Sequence, residues 1–210
     1  MIITFISDTH SKHSELKLVS GDILIHCGDF TKKGSSDDIE SFLNWFASQD
    51  YTYKVFVAGN HDFGFENEKR TKSENLAASL GLIYLNDSEV NIEGLKIWGS
   101  PVQPEFFNWA FNRSRGNEIK KHWDLIPSDT DILITHGPPF GILDLCAHGE
   151  RVGCEELLKK VFEVKPKVHA FGHIHEDYGI LEKDHVKFIN ASNLDEKYQC
   201  RNKPITIKVT

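Results

Sequence analysis

Five stretches of this chain follow one pattern, in which an apolar run stops and a carboxylate, amide or imidazole follows at once. They are Asp8-Thr9-His10, Gly28-Asp29, Gly59-Asn60-His61-Asp62, Thr135-His136-Gly137 and Gly172-His173-Ile174-His175. Any one alone reads better as a polar turn facing water. Five such strand ends are hard to explain as separate solvated turns, and they are expected to converge on one site. Carboxylate, imidazole and amide donors without a thiolate suit divalent cations, manganese first, with iron, zinc, cobalt or nickel as alternatives. The donor set is Asp8, His10, Asp29, Asn60, His136, His173 and His175, which is more than one ordinary ion needs. It fits two adjacent ions sharing a bridging carboxylate. The spacings Asp8-x-His10 and His173-x-His175 let side chains two apart share a direction on extended backbone. Paired ions of this kind clamp an in-line displacement at phosphorus.

Strands must deliver these residues. The apolar runs 2–7, 22–27, 53–58, 131–135 and 167–171 each end at one of the motifs. Between them, Ser35 or Ser36 can cap a helix whose first turn holds Asp37 and Asp38. Ile39, Phe42, Leu43 and Phe46 then recur at helical spacing to about residue 49. Further helices are expected over 73–80, 117–123 and 155–164. Glu93-Gly94 and Lys183-Asp184 read as hairpin turns, and 205–209 as a last strand. Alternating strands and helices followed by hairpins predict a mixed α/β architecture, and the absence of repeats or a linker predicts one domain over residues 1–210.

The chain has 210 residues and a net charge of −7. That balance argues against an extended nucleic-acid partner, which needs a basic footprint. It does not exclude a small anionic substrate, because bound cations reverse the local field. No basic leader precedes the first strand and no apolar run approaches bilayer length, so a cytoplasmic location and no membrane partner are expected. Cys27, Cys146, Cys154 and Cys200 form no C-x-x-C pair, which points away from a zinc ribbon or a disulfide framework. His26, inside an apolar strand, reads as a packed core residue, and His13, His122, His169 and His185 as surface or packing residues. His148 reads as a solvated loop residue.

The ordered pattern D-x-H, G-D, G-N-H-D, a later His before Gly, and G-H-x-H resembles the calcineurin-like metallophosphoesterase superfamily, with every position present. Residues 21–31 (GDILIHCGDFT), 98–101 (WGSP), 135–144 (THGPPFGILD), 171–176 (FGHIHE) and 189–192 (INAS) are more closely similar to the metallophosphoesterase-domain-containing (MPPED) phosphodiesterase family. The resemblance implies two mixed β-sheets packed as a sandwich between helices. It also implies one ion held by Asp8, His10, Asp29 and His175, and a second by Asp29, Asn60, His136 and His173. His61 matches the general acid or phosphate-contacting residue, with Asn60 beside it toward substrate. Asp62 matches the carboxylate that orients His61, at a position where the MPPED pattern often has Glu. The implied reaction is direct in-line hydrolysis of a cyclic nucleotide or other small phosphodiester, without a covalent enzyme intermediate. A phosphomonoesterase or protein phosphatase with the same core, a nuclease and a non-catalytic interaction module are the rival readings. Substrate choice is assigned to the irregular segment 101–115. There Trp109, Phe111 and Arg113 alternate, and on extended backbone they would present two rings and a cation on one face. The other reading of these rings is packing beneath a long loop.

Overall fold

The computed structural model describes residues 1–209. The chain begins with β1 (Ile2–Ile6), β2 (Gly21–His26), α1 (Ser36–Ala47), β3 (Tyr51–Phe56), α2 (Arg70–Ser79) and β4 (Ile83–Tyr84). A hairpin of β5 (Ser88–Ile92) and β6 (Leu95–Ser100) follows, then two-residue strands β7 (Gln103–Pro104) and β8 (Asn112–Arg113). The rest is α3 (Asn117–Trp123), β9 (Ile132–Thr135), α4 (Glu155–Val164), β10 (Val168–Phe171), β11 (Gly179–Lys183), β12 (Val186–Asn190) and β13 (Ile205–Lys208). One sheet has the order β13-β1-β2-β3-β4 and the other β11-β12-β10-β9-β6-β5.

Strand parity explains why the two sheets stack. Successive residues of a strand face opposite sides. Ile23, Ile25 and Val55 join Ile132, Ile134 and Ala170 in the apolar layer between the sheets. Leu24 and Phe56 face the other way, onto Ile39, Phe42, Leu43 and Phe46 of α1. Leu133, Phe171 and Phe188 likewise turn outward onto Ile119 and Trp123 of α3 and Leu157 and Val161 of α4. Each ring fully withdrawn from water in these layers contributes about 1.5–3 kcal/mol of transfer free energy. The result is a helix–sheet–sheet–helix sandwich, as the resemblance implied.

Helix α1 starts as its sequence predicts, with the Asp38 N–H donating to Ser35 Oγ at 3.1 Å. The third strand, expected over 53–58, instead pairs with β2 over Tyr51–Phe56. Val57 keeps one bond to the His26 carbonyl, and the chain then peels away toward the Asn60 loop. Helix α2 begins three residues before the expected 73–80, taking in polar residues that carry no apolar period. Strands β1, β2 and β3 are mutually parallel, as are β6, β9, β10 and β12. Their carboxyl ends open on the candidate site, the usual place for chemistry in an open α/β sheet. Among the described residues no helix is long and apolar enough to cross a membrane.

Candidate metal centre

The motif residues leave their strands on strained backbone. Asp8, His10, Asp29 and His173 have φ of 53°, 39°, 56° and 70°, the left-handed region that favours glycine. Such a conformation costs about 1–3 kcal/mol per residue and persists only where the surroundings impose it. Here the loops are laced together: the Asp8 N–H donates to the Gly28 carbonyl at 2.9 Å and the His10 N–H to the Asp29 carbonyl at 3.0 Å. Two glycines admit this close approach. A Cβ at Gly172 would lie 2.1 Å from Asp8 Oδ2, and one at Gly59 would lie 2.3 Å from Asp29 Oδ1.

Three overlapping groups bring their donor atoms within 4.8 Å of one another: Asp8, His10 and His175; His10, Asp29 and His61; Asp29, His136 and His173. Asp29 is the carboxylate between them, with Oδ2 at 3.4 Å from His136 Nε2, 3.8 Å from His10 Nε2 and 3.9 Å from His61 Nε2. His175 Nε2 lies 3.6 Å from Asp8 Oδ1. Asn60 joins the third group, its Oδ1 being 2.9 Å from His136 Nε2. Asp8, His10, Asp29 and Asn60 follow strands of the first sheet, whereas His136, His173 and His175 follow β9 and β10 of the second.

The hydrogen bonds behind these rings test whether the group fits a cation. His136 Nδ1 pairs with the Cys27 carbonyl at 2.9 Å and His175 Nδ1 with the Asp195 carbonyl at 3.1 Å. A carbonyl only accepts, so each Nδ1 carries the proton, and in the neutral ring Nε2 is a bare lone pair. The His136 lone pair then faces Asn60 Oδ1, and that of His175 faces His10 Nε2 at 3.4 Å. An acceptor aimed at an acceptor, as the neutral His136 ring is at Asn60 Oδ1, calls for a positive charge between them, and carbonyls behind the ring are the usual means of orienting ligand imidazoles. A proton can take the same place: burial alone would lower His136 and His175, yet Asp29 beside the first and Asp8 beside the second carry both up to about 9. Burial holds His10 down at about 4 and His173 at about 3. Burial would raise the Asp29 carboxyl, but the surrounding histidines, His136 foremost, hold it well below the usual carboxylate range. The residues fit two divalent ions.

His61 stands at the edge of this cluster. Its backbone N–H donates to Asp29 Oδ1 at 2.8 Å, its Nδ1 donates to the Lys32 carbonyl at 2.7 Å, and its ring stacks on Trp109 with centroids 4.1 Å apart. The expected orientation of His61 by Asp62 needs correction. The Asp62 carboxylate accepts from the N–H groups of Gly59 (2.8 Å), Phe30 (3.3 Å) and Thr31 (2.9 Å) and from Thr31 Oγ1 (2.7 Å). It ties the loop after β2 to the loop after β3, and the Lys32 carbonyl and Trp109 orient the imidazole. Burial and then the Asp29 charge push Asp62 up to about 7, against the pull of those hydrogen bonds.

The expected substrate wall is also rearranged. Trp109, Phe111 and Arg113 do not share a face, because the chain turns over 106–111 with φ of 46° at Phe107 and 59° at Phe111. Phe111 is core, packed in the layer beneath α1. Arg113 Nε donates to His122 Nε2 at 3.1 Å, and its guanidinium lies 3.7 Å from Glu66. Trp109 lies on His61 and does not line the open cleft. That cleft, about 200 Å³, is walled beyond the cluster by Phe106, Glu176, Glu196 and Tyr198. Of these, Phe106 lies in the segment 101–115 to which substrate choice was assigned, and Glu176 stands directly after Gly172-His173-Ile174-His175. Ser192, whose Oγ donates to Asp8 Oδ2 at 2.7 Å, is a further support that spacing alone did not mark.

The two core histidines brace the ligand loops. His26 Nδ1 accepts from the Gly28 N–H and its Nε2 donates to Thr9 Oγ1, both at 3.1 Å. His169 Nε2 donates to Thr135 Oγ1 at 2.9 Å, while its Nδ1 is buried without a partner. Burial pushes His169 down from 6.5 to about 3, so the unfolded chain binds a proton that the folded form refuses. Stability attributable to this ring is therefore full above the unfolded value and falls as pH drops below it. His169→Phe is expected to flatten the fall in unfolding free energy by about 1 kcal/mol per pH unit between about pH 6 and 5. Urea unfolding across that range checks this; an unchanged slope refutes it.

Comparison with known proteins agrees with the geometry. Residues 1–177 match the sequence profile of the calcineurin-like phosphoesterases. The chain is 42% identical over 224 residues to metallophosphoesterase domain-containing protein 1 of Homo sapiens, covering 96% of this chain and 69% of that protein, and the Mus musculus protein matches equally. UPF0046 protein K07C11.7 of Caenorhabditis elegans is 36% identical, with 99% of this chain and 74% of that protein covered. The crystal structure of TT1561 of Thermus thermophilus superposes with a TM-score of 0.62 over 98% of this chain and 97% of its own, at 13% identity, a likeness of fold.

Proposed function

This chain belongs to the calcineurin-like phosphoesterase family and is on that ground a metal-dependent phosphoesterase; we propose that it is a phosphodiesterase acting on small phosphodiesters, cyclic nucleotides among them. The observation that carries this reading is the pair of His–carboxylate groups that meet at Asp29. Asp8, His10, Asp29 and His175 would hold one ion, and Asp29, Asn60, His136 and His173 the other, with manganese the first candidate for both. When bound, the ions supply Lewis acidity to the phosphoryl oxygens and lower the pKa of water at the site. The protein's own part is orientation and proton transfer. Asn60 and His61 flank the phosphoryl position, and the Asp29 carboxylate fixes the His61 backbone. His61 Nδ1–H stays on the Lys32 carbonyl, so the proton given to the departing alkoxide comes from Nε2 of the doubly protonated ring.

The test compares aryl diesters with aryl monoesters across several metals. Diester turnover that requires added metal supports the reading, and monoester turnover alone replaces it with a phosphomonoesterase. His61→Asn is expected to retain metal by elemental analysis while lowering kcat about 10²-fold for alkoxide leaving groups. For nitrophenolate, which leaves without a proton, the loss should be small. Equal losses for both would reassign His61 to phosphate binding.

A further inference from the structure

The cleft wall beyond the metal-ligand cluster has one chemical character. It consists of the rings of Phe106 and Tyr198 and the carboxylates of Glu176 and Glu196, and among the described residues no Lys or Arg lines it. The Tyr198 ring centroid is 5.0 Å from His10 and 5.2 Å from His175, and the Phe106 centroid is 6.1 Å from His173. Both rings therefore stand one short ester arm away from the phosphoryl position. Phe106 is 49% and Tyr198 46% exposed, so each keeps a free surface for a ligand. Two nearby cations are turned to other work: Lys12 Nζ donates to the Tyr198 carbonyl at 2.6 Å, and Arg201 pairs with Asp195 at 3.1 Å. A nucleobase platform is not offered by Trp109, because its face is taken by His61. Aromatic rings combined with carboxylates are complementary to an ammonium group, above all a quaternary one.

We propose that the preferred substrate is a zwitterionic phosphodiester, one of whose ester arms ends in a choline-type ammonium seated among Phe106, Tyr198, Glu176 and Glu196. This inference rests on the phosphodiesterase reading and narrows its substrate class. The metal cluster takes the phosphoryl group, a two-carbon spacer reaches the rings, and the cation meets the glutamates. Two charges on the wall also disfavour the dianion of a phosphomonoester relative to a diester.

Two nitrophenyl diesters test it: nitrophenyl phosphorylcholine and its 3,3-dimethylbutyl analogue, in which carbon replaces the quaternary nitrogen. In both, water oxygen bonds to phosphorus, the phosphorus–aryloxide bond breaks, nitrophenolate leaves and a proton is released, so only the charge of the retained arm differs. The choline ester is expected to have a kcat/KM about tenfold higher, the scale of one cation–π contact plus exposed ion pairs. The Glu176→Gln/Glu196→Gln double variant should bring that ratio toward one. A ratio near one in the parent protein overturns the proposal, as does a preference that survives in the double variant. If neither diester is hydrolysed with any metal, the phosphodiesterase reading fails separately. Calorimetric binding of phosphorylcholine against 3,3-dimethylbutyl phosphate then still decides the subsite: tighter binding of the choline compound, lost in the double variant, supports it, and equal binding overturns it.

Discussion

Asp29→Asn is expected to lower turnover about 10³-fold or more, since one neutralised carboxylate weakens both metal positions and the stabilisation of charge at phosphorus that depends on them. Asp29 is the acidic group common to His10, His61 and His136, all within 3.9 Å of its Oδ2. The substitution keeps Oδ1 as acceptor for the His61 N–H, so the loop is expected to stay in place while charge is lost. Elemental analysis should find both ions depleted in this variant, whereas His10→Ala should deplete mainly one. Full activity with a single tightly held ion would sink the shared-carboxylate arrangement.

Asp62→Ala is expected to act on stability. The carboxylate is fully buried and serves three backbone amides and one hydroxyl. A buried donor left unpaired costs about 1–3 kcal/mol, so losing this acceptor should lower the unfolding free energy by about 3–5 kcal/mol in all. Asp62→Asn keeps one acceptor oxygen but turns an amide N–H₂ toward donors, and about half that loss is expected. Denaturant midpoints measure both. An alanine variant as stable as its parent would mean that the two loops are held by something other than this carboxylate.

The ligands were legible because each is among the first polar residues after an apolar strand, where side-chain type and backbone position are both set locally. The helix-capping Ser35 was legible for the same reason. The role of Asp62 was not, since its partners Phe30 and Thr31 lie about thirty residues back and no spacing rule links two loops. The segment 106–111 misled for a different reason. Its turn relies on left-handed backbone at Phe107 and Phe111, residues that carry no glycine signal, so an extended reading put Phe111 on a surface it never reaches. Tyr198 and Glu196 come from a late loop that touches the cleft only through the tertiary fold, and no motif marks them.

Each of the two proposed ion sites draws residues from both sheets: Asp8 and His10 meet His175, and Asp29 and Asn60 meet His136 and His173. Neither half of the chain, folded by itself, holds a complete set of donors. Tight capture of an ion is therefore coupled to closure of the sandwich, and a nascent or half-assembled chain presents only fragments with weak grip. This arrangement predicts that neither half of the sandwich, assembled alone, binds an ion tightly. It also makes ion uptake a clock for folding: the moment of tight binding reports that the two sheets have docked.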